Sequence, residues 1–180
     1  METAVLAGGC FWCLEAVFQQ VKGVEKVTSG YAGGGTGEAP TYQQVGMGRT
    51  KHAEVVQVEF DPAVLSYQTL LDIFFTIHDP TTLNRQGNDV GEQYRSAIFY
   101  TNEEQKAQAQ ATIEALSAKG EYSESIVTQV QPLDKFYTAE EYHQNYYQEN
   151  QQQPYCQLVI SPKIKKFHEK FGSMLKPEHQ

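Results

Sequence analysis

Apolar and polar positions along this chain switch repeatedly between a period of two and a period near 3.6. A short apolar stretch, Val5-Leu6-Ala7, runs into Gly8-Gly9, and from Leu14 to about Val21 the apolar residues recur at helical spacing. Gly23 precedes Val24-Glu25-Lys26-Val27, which reads as a strand. His52 to Phe60 alternates, is rich in β-branched residues and stops at Asp61-Pro62, so it reads as a second strand. Helical spacing returns with Leu70, Leu71, Phe74 and Phe75 behind Ser66, a capping residue type. Between the strands, Gly30 to Gly37 holds too many glycines for an element interior and predicts a surface loop. It is no phosphate loop, because it lacks a closing Lys-Ser/Thr and opens no helix. Asp79 to Gly91 is a long polar stretch.

Tyr94 to Tyr100 is the next strand, and Thr101-Asn102-Glu103-Glu104 reads as a capping box opening a helix that closes at Lys119-Gly120. Ile126 to Val130 predicts a last strand, and Thr138-Ala139-Glu140-Glu141 a second capping box with a short helix through Tyr146. After the connector Gln151-Gln152-Gln153-Pro154, Ser161-Pro162 starts an amphipathic helix carrying Ile164, Phe167, Phe171 and Leu175. This order is close to β-α-β-β-α-β. It predicts an α+β fold: a ferredoxin-like two-layer sandwich with a mixed sheet and an extended C-terminal segment. No repeat divides the chain, and residues 1–180 are expected to form a single domain.

The 180 residues are enough to bury roughly 70% of the unfolded surface without staples. A net charge of -8 disfavours a nucleic-acid partner; the lysines between Lys163 and Lys170 are assigned to the solvated face of the last helix. Three cysteines, an odd count, fit a reducing compartment better than a disulfide framework. Met1-Glu2-Thr3-Ala4 has no basic leader region, and no run has the length of a membrane span. A soluble, cytoplasmic monomer is expected, with no membrane or nucleic-acid partner.

The chemistry concentrates at Gly9-Cys10-Phe11-Trp12-Cys13, between the first apolar stretch and the first helix. A cysteine exposed at a helix N-terminus meets free backbone N–H groups and the positive end of the dipole. That effect, at most ~2 kcal/mol, lowers a thiol by about 1.5 pKa units, so Cys10 reads as a nucleophile with thiolate near neutral pH. A small buried core cysteine is the alternative. Cys13 completes a Cys-x-x-Cys pair; it either has a secondary redox role or simply packs. Glu54 lies among apolar neighbours on its strand, so its carboxyl group should stay protonated unless it faces outward. Phe11 and Trp12 can wall a small apolar pocket, which core packing would also explain.

Gly9-Cys10-Phe11-Trp12-Cys13, Gly30-Tyr31-Ala32-Gly33-Gly34, His52-Ala53-Glu54-Val55-Val56, Gly91-Glu92-Gln93-Tyr94-Arg95-Ser96, Glu141-Tyr142-His143-Gln144 and Tyr155-Cys156 resemble, in order, the signature segments of type A peptide methionine sulfoxide reductases. The resemblance spans nearly the whole chain. It implies reduction of the S-epimer of methionine sulfoxide, free or in proteins, with thioredoxin as electron donor and no cofactor or metal, in repair of oxidised proteins. It further implies that Cys10 becomes a sulfenic acid, that Cys156 resolves it, and that Tyr42 and Tyr94 donate hydrogen bonds to the sulfoxide oxygen. Asp89 matches a family active-site carboxylate. His143, Tyr146 and Tyr155 fall near the recycling cysteine and close the substrate pocket, although His143 alone would read as a surface histidine. Cys156 is expected to be mobile enough, in its Pro- and Gln-flanked segment, to approach Cys10; an inert thiol is the alternative. His52 receives no catalytic role.

Two rivals stand beside this reading. A Cys-x-x-Cys dithiol oxidoreductase would not call for Glu54, Tyr42 and Tyr94. A zinc-stabilised binding module would use Cys10, Cys13, Cys156 and His143 or His168, but lacks a second paired motif.

Overall fold

The computed structural model describes residues 1–35 and 37–180. In chain order it builds β1 (Glu2–Gly8), α1 (Phe11–Phe18), β2 (Val24–Ala32), α2 (Tyr42–Gly46), β3 (Ala53–Phe60) and α3 (Tyr67–Ile77). A two-residue hairpin, β4 (Arg85–Gln86) with β5 (Asp89–Val90), interrupts the polar stretch. Then come β6 (Ser96–Tyr100), α4 (Glu103–Lys119), β7 (Gln129–Pro132), β8 (Phe136–Thr138), α5 (Tyr146–Glu149) and α6 (Ser161–Phe171).

The main sheet has the order β7-β6-β1-β3-β2-β8. Its inner four strands, β6-β1-β3-β2, are antiparallel and carry the ferredoxin-like arrangement, while β7 joins β6 in parallel and makes the sheet mixed. Register follows from which face is buried. Leu6 stands opposite Val56 on β3 and Ile98 on β6, giving one apolar row across three strands on the face that carries the helices. The residues between them, Val5, Ala7, Val55, Ala97 and Phe99, point to the other face, where Leu133 and Phe136 cover them. Glu54 lies two residues before Val56 and therefore shares the helix face.

Several elements differ from expectation, each for a local reason. Gly30, Tyr31 and Ala32 are the buried end of β2, not loop. Gly30 is required there because a Cβ would collide with the Phe136 ring and the Tyr137 carbonyl of β8. Of the rest of the expected loop, Thr36 lies outside the described residues. Helix α1 stops at Phe18, and Val21 instead bridges Leu175. The N-cap of α4 is Asn102, one residue later than read, without a closed capping box. Asn102 accepts from the Gln105 N–H, and the Gln105 side chain accepts from the Thr101 N–H. Tyr94 closes a short 3-10 turn before β6, and the strand expected from Ile126 begins at Gln129. Thr138 ends β8, paired with Gly30 of β2, rather than capping a helix; a 3-10 turn at Glu141–His143 and the α-helical Tyr146–Glu149 follow. The last helix begins at Ser161-Pro162 as expected but ends at Phe171, so Leu175 lies beyond it. A π-helical turn, Cys156–Ile160, leads directly into α6.

Gly30→Ala should destabilise the fold by about 1 to 3 kcal/mol through overpacking against β8. Denaturant unfolding with an unchanged m-value checks it; a midpoint equal to wild type would refute the steric account.

Candidate active site

Two glycines set the turn that ends β1. A Cβ on Gly8 would lie 2.9 Å from the Phe74 ring, and Gly9 combines φ of 100° with a Cβ position 2.7 Å from Gln86. The chain can turn sharply here only without side chains. Cys10 then becomes the N-cap of α1, with extended backbone, and its carbonyl accepts from the Cys13 N–H at 3.1 Å.

Cys10 is at the helix N-terminus as expected, but it is buried rather than exposed. Burial pushes its thiol well up, the contacts with Cys13 and Glu54 add to this, and the Trp12 N–H only partly opposes it. The expectation of a resting thiolate on Cys10 is therefore overturned. A dipole worth at most ~2 kcal/mol does not offset the loss of several kcal/mol of ion hydration. Cys13 moves the other way. The hydrogen bond from Cys10 lowers it most, with help from the Lys163 charge and the Tyr155 hydroxyl, against burial.

Glu54 reaches the same point from the sheet. Its Oε1 accepts from the Phe11 N–H at 3.1 Å, which places its carboxyl group beside Cys10, close enough for its charge to act on the thiol. Burial raises it to about 8, with Asp89 and Cys13 contributing and the Phe11 N–H opposing. Below that pH the Cys10 sulfur sits beside a neutral carboxylic acid.

Aromatic side chains enclose the pair. Phe11 is fully buried, with ring centroids 5.7 Å from Tyr31 and 6.2 Å from Tyr42. Trp12 stacks on Tyr146 at 3.7 Å with planes 8° apart and meets Tyr155 edge-on. Its indole N–H donates to His143 Nδ1 at 3.0 Å. Burial lowers His143, so the ring is neutral with its proton on Nε2. His143 is fully buried, not a surface residue. Tyr42 and Tyr94 are both raised by burial and then by Glu54, which keeps their phenols protonated and able to donate. Tyr155 donates to Asp89 Oδ2 at 2.6 Å and lies 3.8 Å from Cys13 Sγ. The structure thus gathers Cys10, Cys13, Glu54, Phe11, Trp12, Tyr42, Tyr94, Asp89, His143, Tyr146 and Tyr155 into one site.

Cys156 is the exception to expectation. It is fully buried at the start of the π-helical turn, not in a mobile connector, and all three cysteines are free. It is close enough to Cys13 for that charge to raise it. Among the described residues no group of three or more His, Cys, Asp or Glu side chains could hold a metal ion. The zinc rival also loses its histidines, since His143 is bound to Trp12 and His168 to Gln20 at 2.6 Å. His52 is buried against Tyr137, away from the cysteines. No helix among the described residues is long and apolar enough to cross a membrane.

Sequence reasoning missed Glu140 and Glu15. Glu140 accepts from the Tyr31 hydroxyl and the Tyr42 N–H, both at 2.8 Å, and so ties a phenol of the site to β2. Its apparent place in a capping box masked that role.

Comparison with known proteins places this geometry. A family model described as peptide methionine sulfoxide reductase matches residues 2–175. The chain is 57% identical over 175 residues to the peptide methionine sulfoxide reductase MsrA of Chromobacterium violaceum, covering 97% of this chain and 99% of that protein. The crystal structure of Mxr1 from Saccharomyces cerevisiae in reduced form superposes with a TM-score of 0.78 at 36% identity, over 86% of this chain and 88% of that one. Mxr1 in complex with Trx2 gives a TM-score of 0.55 at 28% identity, over 81% and 84%.

The raised Glu54 leaves a pH signature in stability. A carboxyl group at about 8 when folded and 4.5 otherwise stabilises most at low pH, and this contribution is lost as pH rises through 8. Glu54→Gln should therefore gain stability relative to wild type as pH rises from about 4.5 to 8. Paired unfolding curves measure it, and a pH-independent difference would show that the carboxyl group is not raised.

Proposed function

The chain belongs to the peptide methionine sulfoxide reductase family and is an enzyme of that kind; from this premise we propose that it reduces the S-epimer of methionine sulfoxide, free and in proteins, through a cysteine sulfenic acid and a disulfide recycled by thioredoxin. The observation that carries the mechanism is the buried, neutral Glu54, held at the N-terminus of α1 by the Phe11 N–H and close enough to Cys10 for its charge, when ionised, to act on the thiol. Sulfoxide reduction needs a soft nucleophile and a proton for the departing oxygen. Glu54 gives its proton to the sulfoxide oxygen and takes the Cys10 thiol proton, while Tyr42 and Tyr94 hold that oxygen by hydrogen bonds. Oxygen passes from the methionine sulfur to Cys10 Sγ. The substrate sulfur gains two electrons and Cys10 loses two, becoming a sulfenic acid. Phe11, Trp12, Tyr146 and Tyr155 enclose the sulfur-bound methyl, and Asp89 orients Tyr155.

A thiol then attacks the sulfenic sulfur, forming a disulfide and releasing water. We assign the final resolving role to Cys156. The closeness of Cys13, whose N–H bonds the Cys10 carbonyl, favours a second version, in which Cys13 captures first and passes the disulfide to Cys156. Either path leaves two electrons to be supplied by a dithiol, the role given to thioredoxin; the complex of Mxr1 with Trx2 supports that partner. The electrons all come from thiols, so the balance needs no cofactor. The same reading takes residues 1–180 as one domain of a cytoplasmic monomer that repairs oxidised proteins, its three free thiols suited to a reducing compartment.

Cys10→Ser should abolish reduction, and Cys156→Ser should release about one methionine per enzyme and then stop under thioredoxin. A Cys156→Ser enzyme that keeps turning over would transfer resolution to Cys13. Glu54→Gln should slow the single-turnover chemical step by about 10² to 10⁴. A rate equal to wild type would remove Glu54 from proton transfer.

A further inference from the structure

Helix α1 presents Trp12, Glu15 and Gln19 on one face, three and four residues apart, and all three grip the same short segment. Trp12 stacks on the ring of Tyr146. Glu15 accepts from the Asn145 N–H at Oε2, 3.0 Å, and from the Tyr146 N–H at Oε1, 3.2 Å. Gln19 Nε2 donates to Asn145 Oδ1 at 2.7 Å. Asn145 has φ of 56°, a left-handed conformation that asparagine tolerates better than most residues.

Glu15 is almost wholly buried, and two backbone N–H groups stand where a cation would usually sit. A buried carboxyl group is a costly way to fill a helix–segment contact, since apolar side chains of similar volume do that with less desolvation. Its burial raises it to about 7 even though both N–H bonds oppose the rise. What a carboxyl group supplies and an apolar side chain does not is direction. Two oxygens of fixed spacing accept from two consecutive N–H groups, which fixes where Tyr146 enters its helix and hence the height of its ring over Trp12.

We infer that Glu15 is a positioning residue for the substrate pocket: it clamps Asn145 and Tyr146 so that the Tyr146 ring closes over Trp12 and sets the width of the space for the sulfur-bound methyl. The inference rests on the reading of Trp12 and Tyr146 as pocket walls. Glu15 touches no reacting atom, so its loss should act on substrate binding more than on the chemical step.

Glu15→Gln keeps the volume but turns one acceptor into a donor facing an N–H. It should raise KM for a methionine sulfoxide substrate by about tenfold, the loss of one charged hydrogen bond, with the saturated single-turnover rate within about threefold. Trp12 is the chain's one tryptophan, so its emission and acrylamide quenching report the stack directly, and quenching should rise in Glu15→Gln. Tyr146→Ala should raise KM similarly, and the double variant should raise it no further, as a merely destabilising change would not predict. An unchanged KM in Glu15→Gln alongside a raised one in Tyr146→Ala overturns the clamp and leaves the pocket standing. An unchanged KM in Tyr146→Ala takes both down. Amide exchange in the wild-type chain tests the clamp without any variant. The Asn145 and Tyr146 amides should be protected, and exchange as fast as that of exposed loop amides overturns it.

Discussion

The Phe11 N–H donates to the Glu54 carboxyl group, and the rest of the site is arranged around that one buried bond. It joins the first turn of α1 to the middle of the sheet, so the nucleophile at the helix N-cap is held against a strand residue 44 positions away in sequence. The bond constrains chemistry as well as position. A buried carboxylate would need a cation or several N–H groups, and Glu54 has one N–H and acidic neighbours, so it keeps its proton. The opposite side of that constraint is the high Cys10 thiol, which the same burial produces.

A second constraint comes from the segment between Ala139 and Tyr146, which crosses the site and is tied down by four side-chain contacts. Glu140 holds Tyr31 and the start of α2, where Tyr42 sits. His143 receives the Trp12 indole N–H. Gln144 exchanges hydrogen bonds with both the N–H and the carbonyl of Ser29, so one side chain substitutes for a strand. Glu15 holds the far end. Neutral hydrogen bonds such as those of His143 and Gln144 are worth roughly 0.5 to 1.5 kcal/mol each and those to a charged carboxylate roughly 1.5 to 3, enough together to hold three aromatic walls from different parts of the chain in one geometry. Preorganisation of this kind is what a small ligand such as a methyl sulfoxide requires, since its one polar oxygen offers few handles.

Much of this was legible because local pattern and tertiary role coincided. The alternation of β3 put Glu54 on the same face as Val56 and Val58, and Gly8-Gly9 announced the turn that delivers Cys10 to a helix start. What was not legible depended on distant partners. Gly30 looked like loop because the Phe136 ring that requires it lies more than a hundred residues away. Glu140 looked like part of a capping box because the tyrosines it holds come from β2 and α2. Cys156 looked mobile because its polar neighbours on the N-terminal side gave no sign that a π-helical turn would bury it. The alternation and glycines are written in the local sequence; the close approaches are properties of the packed whole.

The reversal at Cys10 connects burial to function. Oxidants attack the thiolate, and a cysteine poised as a thiolate is open to peroxide as much as to substrate. Burial keeps Cys10 protonated and removes that exposure in the resting site. The dipole at the start of α1 still favours negative charge, so the barrier to ionisation is set by desolvation and by the lack of a proton acceptor. In the mechanism proposed above, an arriving sulfoxide changes the second of these: once Glu54 has released its proton to the substrate oxygen, the resulting carboxylate would be the base next to the thiol. Nucleophile and acid are then activated by the same event, and the low polarity that suppresses each group alone strengthens the transfer between them.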